Sequence, residues 1–105
     1  MLNKVILMGR LTKDPELKYT ANNIAVVSFT IAVDRNFARQ GEQRQTDFIN
    51  IVAWRTTAEF VAKYFTKGQL LALSGSIQTR TWDDQEGKRH YVTEVVADEV
   101  YFAES

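Results

Sequence analysis

An all-β fold with a single short helix is predicted for this chain of 105 residues, and three observations predict it. Apolar and polar side chains alternate with period two over Ile24 to Arg35 and again over Asp47 to Arg55, as half-buried strands require. A helical period occurs once, between Thr56 and Gly68. Two further extended stretches carry a glycine, Gly9 and Gly75, where a curving sheet needs a bend or a bulge.

The first strand runs from Asn3 to Leu11 and is apolar on both faces around its middle, which suits a strand covered by its own core and by a partner subunit. Asp14-Pro15-Glu16 stops it, because proline brings no N–H to a ladder, and a loop is expected from there to Asn22-Asn23. The second strand places Val27, Phe29, Ile31 and Val33 inward. Asn36 to Thr46 is a polar, glycine-containing connection, so the second and third strands read as a long hairpin. On the third strand Ile49, Ile51 and Ala53 share the core face, while Phe48, Asn50, Val52 and Trp54 share the other.

Thr56-Thr57-Ala58-Glu59 has capping-box spacing, Phe60, Val61, Tyr64 and Phe65 fall on one helical face, and Gly68 after Lys67 marks the stop. From Gln69 to Trp82 the chain is extended again, with Leu71, Leu73, Gly75 and Ile77 expected inward and Ser76, Gln78, Arg80 and Trp82 outward. Asp83 to Lys88 is a turn, and His90 to Phe102 makes the fifth strand. Three strands, a helix and two more strands describe a five-stranded Greek-key OB barrel whose helix, between strands three and four, plugs one end. The length fits one domain over residues 1–105 with no internal repeat.

The absence of cysteine excludes disulfides and thiolate metal sites. No run of about 18 apolar residues and no leader segment is present, which predicts a cytoplasmic protein. Net charge is zero, but Glu94, Asp98, Glu99 and Glu104 gather after residue 93 with no base among them. The rest of the chain therefore carries thirteen bases against nine acids, an excess that permits an anionic partner without requiring one.

Four aromatics are expected on outward positions: Phe37 at the hairpin base, Phe48 and Trp54 on the third strand, and Trp82 on the fourth. Arg35, Arg55, Lys67 and Arg80 lie around them. Exposed rings flanked by cations suit a flat, anionic ligand: bases stack on the rings whatever their identity, and the cations neutralise phosphates. Phe37 or Phe48 alone fits a loop or subunit contact equally well, and Lys67 also complements the helix C-terminus. Catalysis finds little support, since His90 is the only histidine and Asp83, Asp84 and Glu86 crowd a turn without calcium-loop spacing. No metal and no cofactor is predicted.

In this order, Asn3-Lys4-Val5-Ile6-Leu7-Met8-Gly9-Arg10-Leu11, Asp14-Pro15-Glu16-Leu17-Lys18-Tyr19, Asp47-Phe48-Ile49-Asn50, Tyr64-Phe65-Thr66-Lys67-Gly68 and Gly75-Ser76-Ile77-Gln78-Thr79-Arg80 resemble the bacterial single-stranded DNA-binding proteins. The similarity runs from Asn3 to about Phe102. It implies a non-enzymatic homotetramer of OB domains that covers single-stranded DNA, without reading its sequence, in replication, recombination and repair. It also implies base stacking at Phe37, Phe48, Trp54 and Trp82, and phosphate contacts at positions matching Asn50, Lys67 and Arg80. Phe37 and Phe48 stand where many members have tryptophan, Asn50 where an arginine occurs, Thr81 where a lysine occurs, and Ile49 where some place a histidine. The family continues into a disordered tail that recruits replication and repair proteins, and that tail is expected to be absent here. The residues leave a second reading open, an OB domain of the primosome type that uses the same face for protein contacts, and a third, an OB-fold nuclease or an RNA-binding relative.

Overall fold

The computed structural model describes residues 1–104. Strands β1 (Val5–Leu11), β2 (Glu16–Tyr19), β3 (Ala25–Asp34) and β4 (Thr46–Trp54) precede helix α1 (Arg55–Tyr64), and β5 (Leu70–Asp83) and β6 (Arg89–Phe102) follow it. The sheet order is β1-β5-β6-β4-β3-β2, and an additional pairing of β1 with β3 closes it. Strands β1, β3, β4, β6 and β5 thus form the five-stranded OB barrel, with α1 between the third and fourth of its strands. All pairings are antiparallel except β4 with β6, which is parallel at Ile51↔Val95 and Val52↔Val96.

Alternation decides what fills the barrel. Val27, Ile31, Ile51, Ala53, Leu71 and Leu73 are essentially inaccessible, and each lies at an odd-numbered, inward position. Ala58 and Val61 of α1 are fully buried, and the helix packs on β3 and β4. Closure needs two close approaches that only glycine permits. A Cβ on Gly9 would lie 2.7 Å from the carbonyl oxygen of Ala32, where β1 leaves β5 for β3. A Cβ on Gly75 would lie 2.1 Å from the carbonyl oxygen of Val96, beside the register shift between Ser74 and Gly75 that bends β5.

Four expectations are corrected. The loop expected between Pro15 and Asn22 contains β2, which pairs Glu16–Tyr19 with Ser28–Ala25 through a turn at Asn23, where φ is 62°. The capping box at Thr56 and Glu59 does not form. Arg55 turns the chain out of β4 with φ 58°, so the helix starts there and Trp54, which has no side-chain oxygen to offer the first-turn amides, occupies the N-cap. It ends at Tyr64, ahead of Lys67, where the Phe65 amide donates to the Val61 carbonyl.

Ile77, expected inward, is 47% exposed. The cause is topological: β1 pairs with β5 only as far as Gly75, and β4 with β6 only at Val95 and Val96. Beyond those points β5 and β6 continue as a two-stranded arm with no core beneath, and every residue from Ile77 to Asp83 is exposed.

Polar anchors hold the ends. Arg35 donates to both carboxylate oxygens of Asp47 (3.0 and 3.1 Å) at the base of the β3–β4 hairpin. That hydrogen bond holds the Asp47 carboxyl below its ordinary value of 3.8. Glu104 accepts from the Leu70 amide at 3.0 Å and pairs with Arg10 at 3.3 Å, and its carboxyl is held below its ordinary 4.5, chiefly by the amide.

Two outcomes are expected. Gly75→Ala should destabilise the fold by about 3 kcal/mol, read as a fall in the denaturant midpoint, because the clash is with backbone that cannot move aside. Carboxyls whose folded pKa is depressed contribute stability above their unfolded pKa and lose it as pH falls through the folded value. Tm should therefore be flat above the ordinary 4.5 of Glu104 and fall as the pH drops below it and then below the 3.8 of Asp47, and Asp47→Asn should flatten the lower part of that fall.

Candidate nucleic-acid interface

Even-numbered residues of β3, β4, β6 and the arm of β5 share the outer face of the sheet, because the registers Thr30↔Asn50, Ser76↔Val96 and Val52↔Val96 keep their parity aligned. An open groove of about 430 Å³ crosses this face, lined by Ser28, Thr30, Asn50, Val52, Arg80 and Glu94. The segment Thr12–Asp14 and strand β2, through Glu16 and Lys18, line it as well, which is why Val52 is only 8% exposed although it points outward.

Phe48, Asn50 and Trp54 lie along β4, with Phe48 67% and Trp54 42% exposed. The rings are six positions apart, roughly 20 Å along a strand. Arg80 and Trp82 stand on the same face of β5, two residues apart. Phe37 lies in the connection between β3 and β4 and is 89% exposed, outside the groove. Arg55 begins α1 beside Trp54, held in the left-handed region that a non-glycine residue enters at a cost of about 1–2 kcal/mol. The Lys67 amide donates to Asp14 Oδ1 at 2.7 Å, which places Lys67 beside a residue of the groove wall. The fold thus gathers Asn50 and Arg80 in one groove, sets Phe48, Trp54 and Trp82 on the same face, puts Arg55 and Lys67 at its margins and leaves Phe37 on a loop.

Asn50 and Arg80 are both engaged. Thr30 Oγ1 donates to Asn50 Oδ1 at 3.0 Å, which occupies the amide oxygen and leaves the NH2 group as the donor Asn50 can offer a ligand. Arg80 Nε donates to Glu94 Oε1 at 3.0 Å. Glu94 is the more sheltered partner, with its side chain 12% exposed against 56% for Arg80. Lys13, Lys18 and Arg80 line the groove together with Asp14, Glu16 and Glu94, so its charges balance. The bond to Glu94 uses Arg80 Nε alone, so the Nη groups meet the groove beside a carboxylate, and the face presents rings and an amide as well as balanced charge.

Sequence reasoning passed over the partners of these residues. Thr30 and Glu94 follow from strand parity once β3–β4 and β5–β6 are recognised as hairpins. His90 lies directly across from Trp82 and stacks on it, with ring centroids 4.3 Å apart and planes within 13°. Asp84 Oδ2 lies 2.9 Å from His90 Nε2. The hydrogen bond from His90 and those from the Lys88 and Glu86 amides hold the Asp84 carboxyl below its ordinary value. An ionised carboxylate only accepts, so Nε2 of His90 is the donor. Among the described residues no helix is long and apolar enough to cross a membrane, and no three His, Cys, Asp or Glu side chains gather as a metal site.

Comparison with known proteins gives this face its family. The model of the single-strand binding protein family matches residues 2–103. A single-stranded DNA-binding protein of Caldanaerobacter subterraneus subsp. tengcongensis is 61% identical over 104 residues, covering 99% of this chain and 69% of that protein. A single-stranded DNA-binding protein of Bacillus cereus is 57% identical over 104 residues, covering 99% of this chain and 61% of its own length. Single-stranded DNA-binding protein A of Bacillus subtilis is 54% identical over 104 residues, covering 99% and 60%. The chain thus spans 60% to 69% of the length of these three relatives. With the match covering all of β1 to β6, the chain belongs to the single-strand binding protein family.

Proposed function

We propose that this chain binds single-stranded DNA without reading its sequence, covering and protecting it in replication, recombination and repair. The observation that carries this reading is the placement of Phe48, Trp54 and Trp82, exposed on one outer face around a polar groove, where soluble domains rarely leave large rings without a ligand or partner. Bases stack on Phe48, Trp54, Trp82 and the loop ring of Phe37. Phosphates meet the Asn50 amide, Arg55, Lys67 and Arg80. Arg80 offers a phosphate its Nη groups while Nε stays on Glu94, and the neighbouring carboxylate moderates the gain. The role is one of binding alone: stacking and phosphate contacts need no general base, nucleophile or metal.

We place the active form as a homotetramer, supported by a second exposed apolar strip. Ile6 and Met8 point away from the core on β1, at 76% and 55% exposure, and Tyr101, at 50%, lies two strands away in register with Met8 through Ala72. This strip lies on β1, β5 and the end of β6, away from the groove strands β3 and β4, so subunits meeting there leave the aromatic face open.

Trp54→Ala and Trp82→Ala should each weaken oligo-dT binding by about 1–3 kcal/mol, measured by anisotropy of a labelled oligonucleotide, with no change in oligomeric state. Parental affinity in both would refute the placement of the platform. Ile6→Glu with Met8→Glu should shift the sedimentation profile from tetramer toward smaller species, since a charge on each apolar contact opposes its burial. An unchanged profile would exclude β1 from the subunit contact.

A further inference from the structure

We propose that His90 and Asp84 are positioning residues for base stacking: the imidazole, tied to the Asp84 carboxylate, backs one face of Trp82 and leaves the indole a single, pre-set open face for a base. This rests on the reading that the outer face binds single-stranded DNA, and adds to it two residues and a direction of approach.

Trp82 needs such support because of where it lies. It belongs to the arm of β5 and β6 that outruns the barrel, and no core residue packs beneath it. A ring on an unsupported arm samples several rotamers, and fixing one of them subtracts from the gain of each stacking event. His90 removes that loss in advance. It faces Trp82 in register, its ring lies 4.3 Å away and nearly parallel, and its Nε2 donates to Asp84 Oδ2 at 2.9 Å. The second carboxylate oxygen of Asp84 accepts from the amides of Glu86 and Lys88, both at 2.9 Å. One side chain therefore ties the imidazole to the backbone of the turn that joins the two strands.

The neighbouring charges serve a different contact. Asp83 and Arg89 pair with each other at 3.3 Å across the adjacent, opposite-facing positions, so neither competes for His90 or Asp84. Trp82 keeps 47% of its surface exposed while one face is covered, which is the open face the base would take. An aromatic sandwich of imidazole, indole and base follows, with offset stacking on both sides of the indole.

The test is an anisotropy titration of labelled oligo-dT with the full chain and three variants. His90→Ala should weaken binding by about three- to tenfold, the loss expected when one side chain must be ordered on binding. His90→Phe, which keeps a flat ring under the indole but cannot bond Asp84, should return to within about twofold of the parent, and Asp84→Asn should fall between the two. A role in folding alone would lower Tm without this ordering of affinities. Parental affinity in His90→Ala, or His90→Phe as weak as His90→Ala, would overturn the role. Where His90→Ala does not fold, Asp84→Asn decides, with weakened binding in support and parental binding against. A parent that fails to bind oligo-dT defeats the DNA-binding reading itself, whereas a parent that binds alongside an unaffected His90→Ala defeats only this proposal.

Discussion

Strand β1 has to satisfy two neighbours at once, and the rest of the molecule depends on its doing so. It pairs with β5 from Val5 to Arg10 and with β3 at Arg10 and Leu11, and that double engagement turns an open sheet into a closed barrel. At the crossing the backbones come so close that the Gly9 position has no room for a Cβ. Closure pairs β1 with β3, so neither presents a free edge at that end of the barrel. It also gives every strand a definite inside, so that Ile51 and Ala53 disappear into the core while Phe48, Asn50 and Trp54 are turned out on the opposite side of the same strand. The hydrophobic effect acts on the odd positions, and alternation delivers the even ones to solvent.

The outer face presents exposed rings and little net charge. The groove holds as many acids as bases, and its arginine is already paired with Glu94. Glu94 is the sheltered member of that pair and engages Nε alone, so its negative charge offsets part of what the guanidinium offers a phosphate. Stacking has no comparable competitor, because water gains little from the face of an indole and a base gains much. The same logic separates the two exposed apolar regions. Ile6 and Met8 are aliphatic and lie on a strand shared with the core, which suits burial by another copy of the chain. Phe48, Trp54 and Trp82 are planar, sit among polar neighbours, and suit a planar ligand.

Much of this was legible in the sequence. Alternation over Ile24–Arg35 and Asp47–Arg55 assigned the core faces of β3 and β4 correctly, and it missed only that Val52, on the outer face, is covered by the segment before β2. The same rule failed at Ile77, because alternation says which side a residue takes and not whether a barrel is there to receive it. The short strand β2 was hidden by Pro15, which follows the end of β1 at Leu11 and does not prevent the chain from pairing again one residue later at the sheet edge. The start of α1 was misplaced because the Thr56–Glu59 spacing is a local signal, overridden by the sharp turn that Arg55 makes to leave β4. Seven of the eight candidate site residues stood out in the sequence as rings or cations, and Asn50 as an amide between two rings of one strand. Their supports, Thr30, Glu94, His90 and Asp84, were not, because each is defined by a cross-strand partner that exists only once register is known.

The central claim is that unpaired bases rest on exposed tryptophans of a closed sheet. Titrating the protein with oligo-dT at low and at high salt while following tryptophan emission tests it most directly, because Trp54 and Trp82 are the only two tryptophans in the chain. Saturable quenching at both salts is expected, with an affinity that falls linearly in log salt and with a shallow slope, of only a few phosphates neutralised, given the balanced groove. Binding without any change in tryptophan emission, or no binding at either salt, would contradict the account.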